Sequence, residues 1–238
     1  MPISRVQAVT KGSPGAAASV TIGSGDGWAA PTAGNLIVVG ASSDGTVTLT
    51  PAGFTAGPAV VDTNAAYAWW KVAAGTETSL TATPNASTDT VFTVAEYSGV
   101  TGAPFDAQNS SQIANTAGTT TSATSVTTTA ANDLIVVFAC LGVLPSPITG
   151  LTWANGFVTA SSGNTGATSG TFFRQHIDMG ERIVTTAALY STSASWTNEA
   201  TNRQQLMMAF KESPVVAAAP KGRASVENRN AVLRASRW

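Results

Sequence analysis

The chain has 238 residues, of which 12 are Lys or Arg and 13 are Asp or Glu, so only 11% are charged and the net charge is −1. One His and one Cys are too few for a His- or Cys-based metal site or for an internal disulfide framework. The near-neutral charge also argues against nucleic acid as a partner of the whole chain.

No targeting segment is visible in the sequence. The N-terminus, residues 1–7, lacks the apolar segment of a secretion signal. The longest apolar run, 134–144, is too short for a membrane-spanning helix. We therefore expect a protein that is made in the cytoplasm and has no membrane partner.

Two kinds of apolar segment follow one another along the chain. Four segments alternate apolar residues with Thr or Ser, which is typical of half-buried β-strands. Three others are apolar on both faces, as in central strands that are covered on both sides. The alternating segments are 19–22, 46–50, 79–83 and 125–129, and the continuous ones are 36–39, 91–95 and 134–139.

Turn-forming residues separate these runs, at 43–45, 74–75, 84–85, 161–164 and 179–180. Many short strands between such turns predict an all-β fold, an antiparallel β-sandwich of jelly-roll type. The strand pattern is complete at 207–211 and Pro214 follows. We therefore expect a β-sandwich domain over 1–213 and a separate segment over 214–238.

A weak internal repeat predicts two similar halves, with chance similarity among β-rich segments as the alternative. The matching pairs are Asn35-Leu-Ile-Val-Val with Asp133-Leu-Ile-Val-Val, Gly53-Phe54 with Gly156-Phe157, Trp70-Lys71 with Phe173-Arg174, and Tyr97-Ser98 with Glu212-Ser213. The spacing only increases along the chain, as insertions in the second copy would require.

The sequence has few side chains that could take part in catalysis, which favours a protein without catalytic residues and without a cofactor. His176 is expected to be a surface histidine of a strand, and Cys140, flanked by apolar residues, is expected to be buried and inert. The acidic residues are scattered singly and are interpreted as turn residues. They are Asp26, Asp44, Asp62, Glu77, Asp89, Glu96 and Asp106.

The aromatic residues are the best candidates for a binding surface. In a strand over 67–72, Tyr67, Trp69 and Lys71 share one face, and Trp70 lies on the other, which looks like core. Tyr67 and Trp69, with Trp153, form a candidate surface aromatic patch for a sugar ring or another subunit. The alternative is that other strands cover both faces.

The segment from Ser213 onward carries five basic residues and one acidic residue, a net +4, against −5 for the rest of the chain. Residues 214–220 form a Pro/Ala linker, and the basic part that follows is expected to dock on an acidic neighbouring subunit. The alternatives are a disordered solubilising tail and contact with nucleic acid. The candidate partner-binding residues are Arg223, Arg229, Leu233, Arg234, Arg237 and Trp238.

Four parts of the sequence, taken in order, are similar to a known group of proteins. They are residues 33–39, the Trp-Trp-Lys strand, 94–100 followed by Asp106, and 133–137. This order resembles β-sandwich domains of bacterial surface proteins and of structural proteins of tailed phages. The N-terminus and the abundance of small residues are similar to minor tail or decoration proteins of actinobacterial phages. The resemblance carries no catalytic residues to this chain.

The resemblance implies a non-enzymatic virion structural protein, with a minor tail protein favoured and a capsid decoration protein as an alternative. Low surface charge and uncovered sheet edges predict a homo-oligomer, with a trimer as one arrangement, that also contacts other virion proteins. A second functional class is a carbohydrate-binding module for host-surface glycans. A third class is an enzyme, a glycan hydrolase.

Overall fold

A computed structural model describes residues 2–13, 17–62, 64–144, 148–165 and 174–214. It contains 18 β-strands and a single 3₁₀ turn at Ser24–Asp26. Among these residues, no helix has the length and apolar character needed to cross a membrane. The expected segment 214–238, with all six candidate partner-binding residues, lies outside the described residues apart from Pro214.

The strands fall into two consecutive sets along the chain. The first set is β1 Ser4–Gly12, β2 Val20–Ile22, β3 Leu36–Ser43, β4 Val47–Thr50, β5 Thr55–Val61, β6 Ala65–Val72, β7 Leu80–Pro84 and β8 Thr90–Ser98. The second set is β9 Val100–Ile113, β10 Gly118–Thr120, β11 Thr124–Thr127, β12 Asp133–Leu144, β13 Thr152–Trp153, β14 Val158–Asn164, β15 Arg174–Val184, β16 Leu189–Thr192, β17 Ala194–Ala200 and β18 Asn202–Glu212.

Each set builds one five-stranded antiparallel sheet, and the two sheets pack face to face. The order is β1-β8-β3-β6-β5 in the first sheet and β9-β18-β12-β15-β14 in the second. The two orders correspond strand for strand. The contacts between the sheets correspond as well, because β5 lies against β9 as β14 lies against β1. The predicted all-β antiparallel sandwich is confirmed, and its two halves are related by an approximate two-fold axis.

Smaller sheets cover the outer faces of the sandwich. The sheet β2-β7-β4 covers the first half, and β10-β17-β13 and β11-β16 cover the second. The alternating segments of the sequence form strands of these outer sheets, because one of their faces meets solvent. The continuous apolar segments form β3, β8 and β12 at the centre, where both faces are buried.

The centre of the molecule is an apolar cluster between the two large sheets. Phe138 of β12 is fully buried there, and a Cβ at Gly40 of β3 would overlap its ring. Gly40 and Phe138 occupy equivalent positions, because β3 and β12 align with Leu36 at the place of Leu134. The Phe138 ring therefore lies opposite Gly40, which has no side chain, across the two-fold axis. The interior is close-packed, but different side chains fill it in the two halves.

One corner of this cluster is aromatic. Trp70 of β6 stacks on Phe105 of β9 with ring centroids 5.7 Å apart, and both rings meet Phe210 of β18 edge to face. Trp70 faces this core, as the alternation of the sequence predicts. These three residues join the first sheet to the second at their shared edge.

The equivalent corner on the other side of the axis is polar. There Glu181 of β15 pairs with Arg5 of β1 at 2.9 Å and accepts a hydrogen bond from the Tyr97 hydroxyl of β8 at 2.7 Å. The strands are the counterparts of those in the aromatic corner, so the same geometric position is filled by different chemistry. The two halves therefore hold each other by different chemistry at the two corners.

The register shows which matches of the internal repeat are correct. Gly53 and Gly156 occupy equivalent turns before β5 and β14, and both have positive φ, +98° and +75°. By contrast, the strand pairing places Glu181-Arg182, not Phe173-Arg174, at the position of Trp70-Lys71. Likewise, the counterpart of Tyr97 is Phe210, because both pair with the first leucine of the central strand. Insertions and bulges in the second half shift these matches.

Two predicted turns are wrong. Residues 161–164 lie inside β14, and Gly180 lies inside β15. A Cβ at Gly163 would be 2.6 Å from Thr10, and one at Gly180 would be 2.7 Å from the Trp153 indole. These glycines therefore allow close approach within strands rather than a reversal of the chain.

Candidate functional site

The outer face of β6 carries the most prominent aromatic pair. Tyr67 and Trp69 are two residues apart on the same face, and their rings stack with centroids 5.5 Å apart and an interplanar angle of 15°. Both are half-buried, and both pack against the cluster beneath β2-β7-β4. Each ring therefore has one face occupied by the other, and the pair is only partly open to a ligand.

Lys71 extends the same face and is held in place by two partners. Its Nζ lies 2.6 Å from a carboxylate oxygen of Glu77 and 5.6 Å from the centre of the Phe54 ring. Glu77 is buried and also accepts the backbone N–H groups of residues 74–76 at 3.0–3.1 Å. Burial alone would raise the pKa of Glu77, but Lys71 and the backbone N–H groups of Ala74 and Glu77 outweigh it and lower the pKa to about 2.

Trp153, the third residue of the candidate aromatic patch, lies in the other half of the molecule. Register places Asp178 and Gly180 of β15 at the positions of Tyr67 and Trp69. The Trp153 indole, which comes from the overlying strand β13, fills the space above Gly180 and donates to Asp178 at 2.7 Å. The structure therefore brings Tyr67 and Trp69 together and places Trp153 on the opposite outer face.

Arg182 occupies the second-half position of Lys71 and is held in a similar way. Its guanidinium lies 5.2 Å from the centre of the Tyr190 ring and donates to the Asn155 carbonyl at 2.6 Å. Both halves thus place one cation against one aromatic ring beside an equivalent glycine turn. No sequence match indicated this equivalence, because the spacing between the two positions changes along the chain.

Exposed aliphatic side chains concentrate at sheet edges. Five large ones are 48–68% exposed among the residues that the structure describes. Four lie on edge strands, and the fifth, Ile183, lies on the inner strand β15. The four are Val6 on β1, Val61 on β5, Val158 on β14 and Leu189 on β16. An edge strand presents both unpaired backbone groups and, here, uncovered apolar surface.

His176 is buried, so the prediction of a surface histidine is wrong. Its side chain is only 2% exposed, and Nδ1 lies 2.9 Å from the Asn164 side-chain oxygen. Burial lowers its pKa to about 4, which leaves the imidazole neutral at pH 7. The interpretation of Cys140 is confirmed, because its thiol is fully buried and burial raises its pKa strongly.

Several acidic residues are not the isolated turn residues that the sequence indicates. Glu96 is buried within β8 and accepts hydrogen bonds from Gln7, the Thr32 amide and Asn35. No sequence signal indicates this role, because the three donors are remote from Glu96 along the chain. Glu96 ties the segment before β3 to the first sheet.

Asp106 and Asp133 form a buried carboxyl pair in the second half. Asp106 pairs with Lys211 at 3.1 Å and accepts the Thr129 amide at 2.6 Å. Burial, together with the neighbouring Asp106, raises the pKa of Asp133 to about 7. Asp133 is the counterpart of Asn35, so the pair occupies a position that an amide fills in the first half.

These acidic groups are dispersed over the molecule. In the described parts of the chain, no set of three His, Cys, Asp or Glu side chains converges as a metal cluster would.

Comparison of the chain with protein-family models, with curated proteins and with solved structures finds no match.

Proposed function

We propose that this chain is a non-enzymatic structural subunit of a phage virion, with a minor tail protein favoured over a capsid decoration protein. The virion assignment depends on the resemblance of the sequence segments described above. The observation that carries the structural role is the set of exposed aliphatic side chains on edge strands. An edge strand with an exposed apolar side chain offers both backbone groups and apolar surface to another protein.

The edges favour contact through side chains over continuous strand addition. Strand β5 contains Pro58, which lacks an N–H, and a bulge between Ala56 and Ala59. Strands β1 and β14 are also bulged. Bulges and proline blunt an edge against open-ended β-pairing. Val6, Val61 and Val158 are then the apolar contacts of a closed homo-oligomer, of which a trimer is one arrangement.

The basic C-terminal segment is the second element of the proposal. Its net charge of +4 opposes the −5 of the remaining chain, so the body of another copy or another virion protein is a suitable partner. The segment contains four arginines and Trp238, and arginine and tryptophan dominate the energy of many interfaces. Deletion of 221–238 is expected to reduce incorporation into particles and to weaken its salt dependence.

Two measurements test the assembly role. Mass spectrometry and antibody labelling of purified particles should detect the chain and place it on the tail. Light scattering at tens of micromolar should give an oligomer that the double substitution V6T/V61T disrupts. Ile183→Thr is the matched control, because Ile183 is similarly exposed, at 48% against 52% and 60%, but does not lie on an edge strand. A monomeric chain that is absent from particles would refute the proposal.

A carbohydrate-binding module for host-surface glycans is the second candidate, and the Tyr67–Trp69 stack favours it. Adjacent aromatic rings on a sheet face can stack on a sugar ring, although here each ring has one face against the other and both are half-buried. A glycan array should then show binding that Trp69→Ala abolishes and that Tyr190→Ala, at the corresponding face of the second half, leaves unchanged. No signal above background from wild type would exclude this candidate.

A further inference from the structure

Two carboxyl groups lie side by side at one end of the sandwich. Asp44 follows β3 and Asp89 precedes β8, and these strands are neighbours. Ser43 pairs with Thr90 across them, and the Asp44 amide approaches the Asp89 carbonyl at 3.4 Å. The Asp44 side chain reaches the second sheet, since it accepts a hydrogen bond from Gln175 of β15, and the alternation of β8, continued by one residue, places Asp89 on the same side.

Asp89 is buried without the partners that a buried carboxylate requires. It is 0% exposed, and neither carboxylate oxygen has a hydrogen-bond partner. Among the side chains that the structure describes, which exclude that of Arg174, no Lys, Arg or His forms an ion pair with Asp44 or Asp89. An unpaired buried carboxylate is costly enough that such a group normally takes up a proton or a cation.

Two neutral side chains, those of Gln175 and Ser42, adjoin the pair on the side of Asp44. Gln175 of β15 donates to Asp44 at 2.5 Å and accepts from the Ser42 hydroxyl at 2.8 Å. Rotation of this amide by 180° would present its oxygen to Asp44 and leave Ser42 as an acceptor. Asp44 itself is partly exposed, so one member of the pair meets solvent.

We propose that Asp44 and Asp89 bind one divalent cation of the calcium type. Two carboxylates supply the charge, and the Gln175 amide oxygen, hydroxyl groups and water supply neutral ligands. Calcium accepts six to eight oxygen ligands in irregular geometry, so it does not need a third carboxylate. Burial raises the pKa of Asp44 to about 7, with Asp89 contributing, and that of Asp89 to about 6. Repulsion of the Asp44 charge by Asp89 is consistent with such a site.

The cation would have a structural role in this position. It would join β3 and β8 of the first sheet to β15 of the second through Gln175. An ion that binds the folded chain and not the unfolded chain stabilises the fold. At a hundredfold excess of calcium over Kd, the melting temperature of a chain of this size should therefore rise by roughly 5–10 °C.

The test is calcium titration of the full chain at pH 7.5 after dialysis against EDTA, followed by calorimetric binding and thermal unfolding. Wild type should bind one calcium ion and gain melting temperature. Asp89→Asn should lose both effects, yet be at least as stable as wild type in EDTA, because the amide removes an unpaired charge. Glu199→Gln, which changes an exposed carboxylate, should behave as wild type.

The competing explanation is that protons neutralise the pair. In that case calcium would produce no binding heat and no change in melting temperature, while acidification from pH 8 to pH 5 would stabilise wild type more than Asp89→Asn. That result would overturn the proposal. An equal response of wild type and Asp89→Asn to calcium would also overturn it, because the ion would then bind elsewhere.

Discussion

The contact between Gly40 and Phe138 allows a quantitative test of how the two halves fit. Phe138→Ala removes a fully buried ring, and substitutions of this kind destabilise proteins by about 3–5 kcal/mol. Gly40→Ala places a methyl group where the Phe138 ring lies, and such overpacking costs about 1–3 kcal/mol. In the double variant the methyl group added at position 40 enters the cavity that the truncation at position 138 leaves. The cost of Gly40→Ala should then disappear, giving a coupling energy of about 1–3 kcal/mol.

Urea unfolding followed by tryptophan fluorescence measures all four members of this cycle. Phe157→Ala is the control, because Phe157 is buried in an outer cluster away from Gly40. It should be destabilising, and its effect should add to that of Gly40→Ala. If the Gly40 and Phe138 effects also add to within about 0.5 kcal/mol, the two residues do not contact across the axis and the arrangement of the sheets is wrong.

Three further outcomes are expected. The folded pKa of Asp133, about 7, lies above its ordinary 3.8, so its contribution to stability is complete below pH 4 and is lost as the pH rises through 7. Asp133→Asn gives position 133 the same amide that Asn35 has in the first half. This variant should be about 1–3 kcal/mol more stable than wild type at pH 8, and its stability in chemical denaturation should depend less on pH. An unchanged pH profile would contradict the pairing with Asp106. Glu77 has the opposite sign, because its pKa of about 2 lies below the ordinary 4.5, so Glu77→Gln should cost about 1.5–3 kcal/mol at pH 7 and progressively less as the pH falls to 2. A chain ending at Ser213 should keep its circular-dichroism spectrum and melting temperature, since β18 ends one residue earlier; an unfolded spectrum would show that the terminal segment is needed for folding.

The fold class and the layers of the sandwich could be predicted from the pattern of apolar residues. A strand with one solvent face alternates and a strand with two buried faces does not, so β2 and β4 were distinguishable from β3 and β12. The edge strand β9 gave no such signal. Its 14 residues are mostly polar or small. They do not need to be apolar, because hydrogen bonds to β18 keep this strand in the sheet.

The candidate site was less accessible to sequence reasoning. The pairing of Tyr67 with Trp69 follows from a spacing of two, which local geometry fixes. The position of Trp153 does not, because it depends on the space left by Gly180, a residue that looks like a turn. The pairing of Asp44 with Asp89 depends on strand register across the 44 residues that separate them. Contacts of this range are properties of the topology and not of any short segment.

The duplication of the sheet also determines when the molecule can become stable during its synthesis. The halves are joined by Gly99 alone, since β8 ends at Ser98 and β9 begins at Val100. Until β18 leaves the ribosome, the first sheet has an uncovered apolar face that nothing in its own half can bury. Two copies of the first half would meet with glycine opposite glycine, and two copies of the second with phenylalanine opposite phenylalanine, so neither is a good substitute for the correct partner. Separate expression of the halves should therefore yield insoluble fragments, whereas their co-expression should rescue soluble protein.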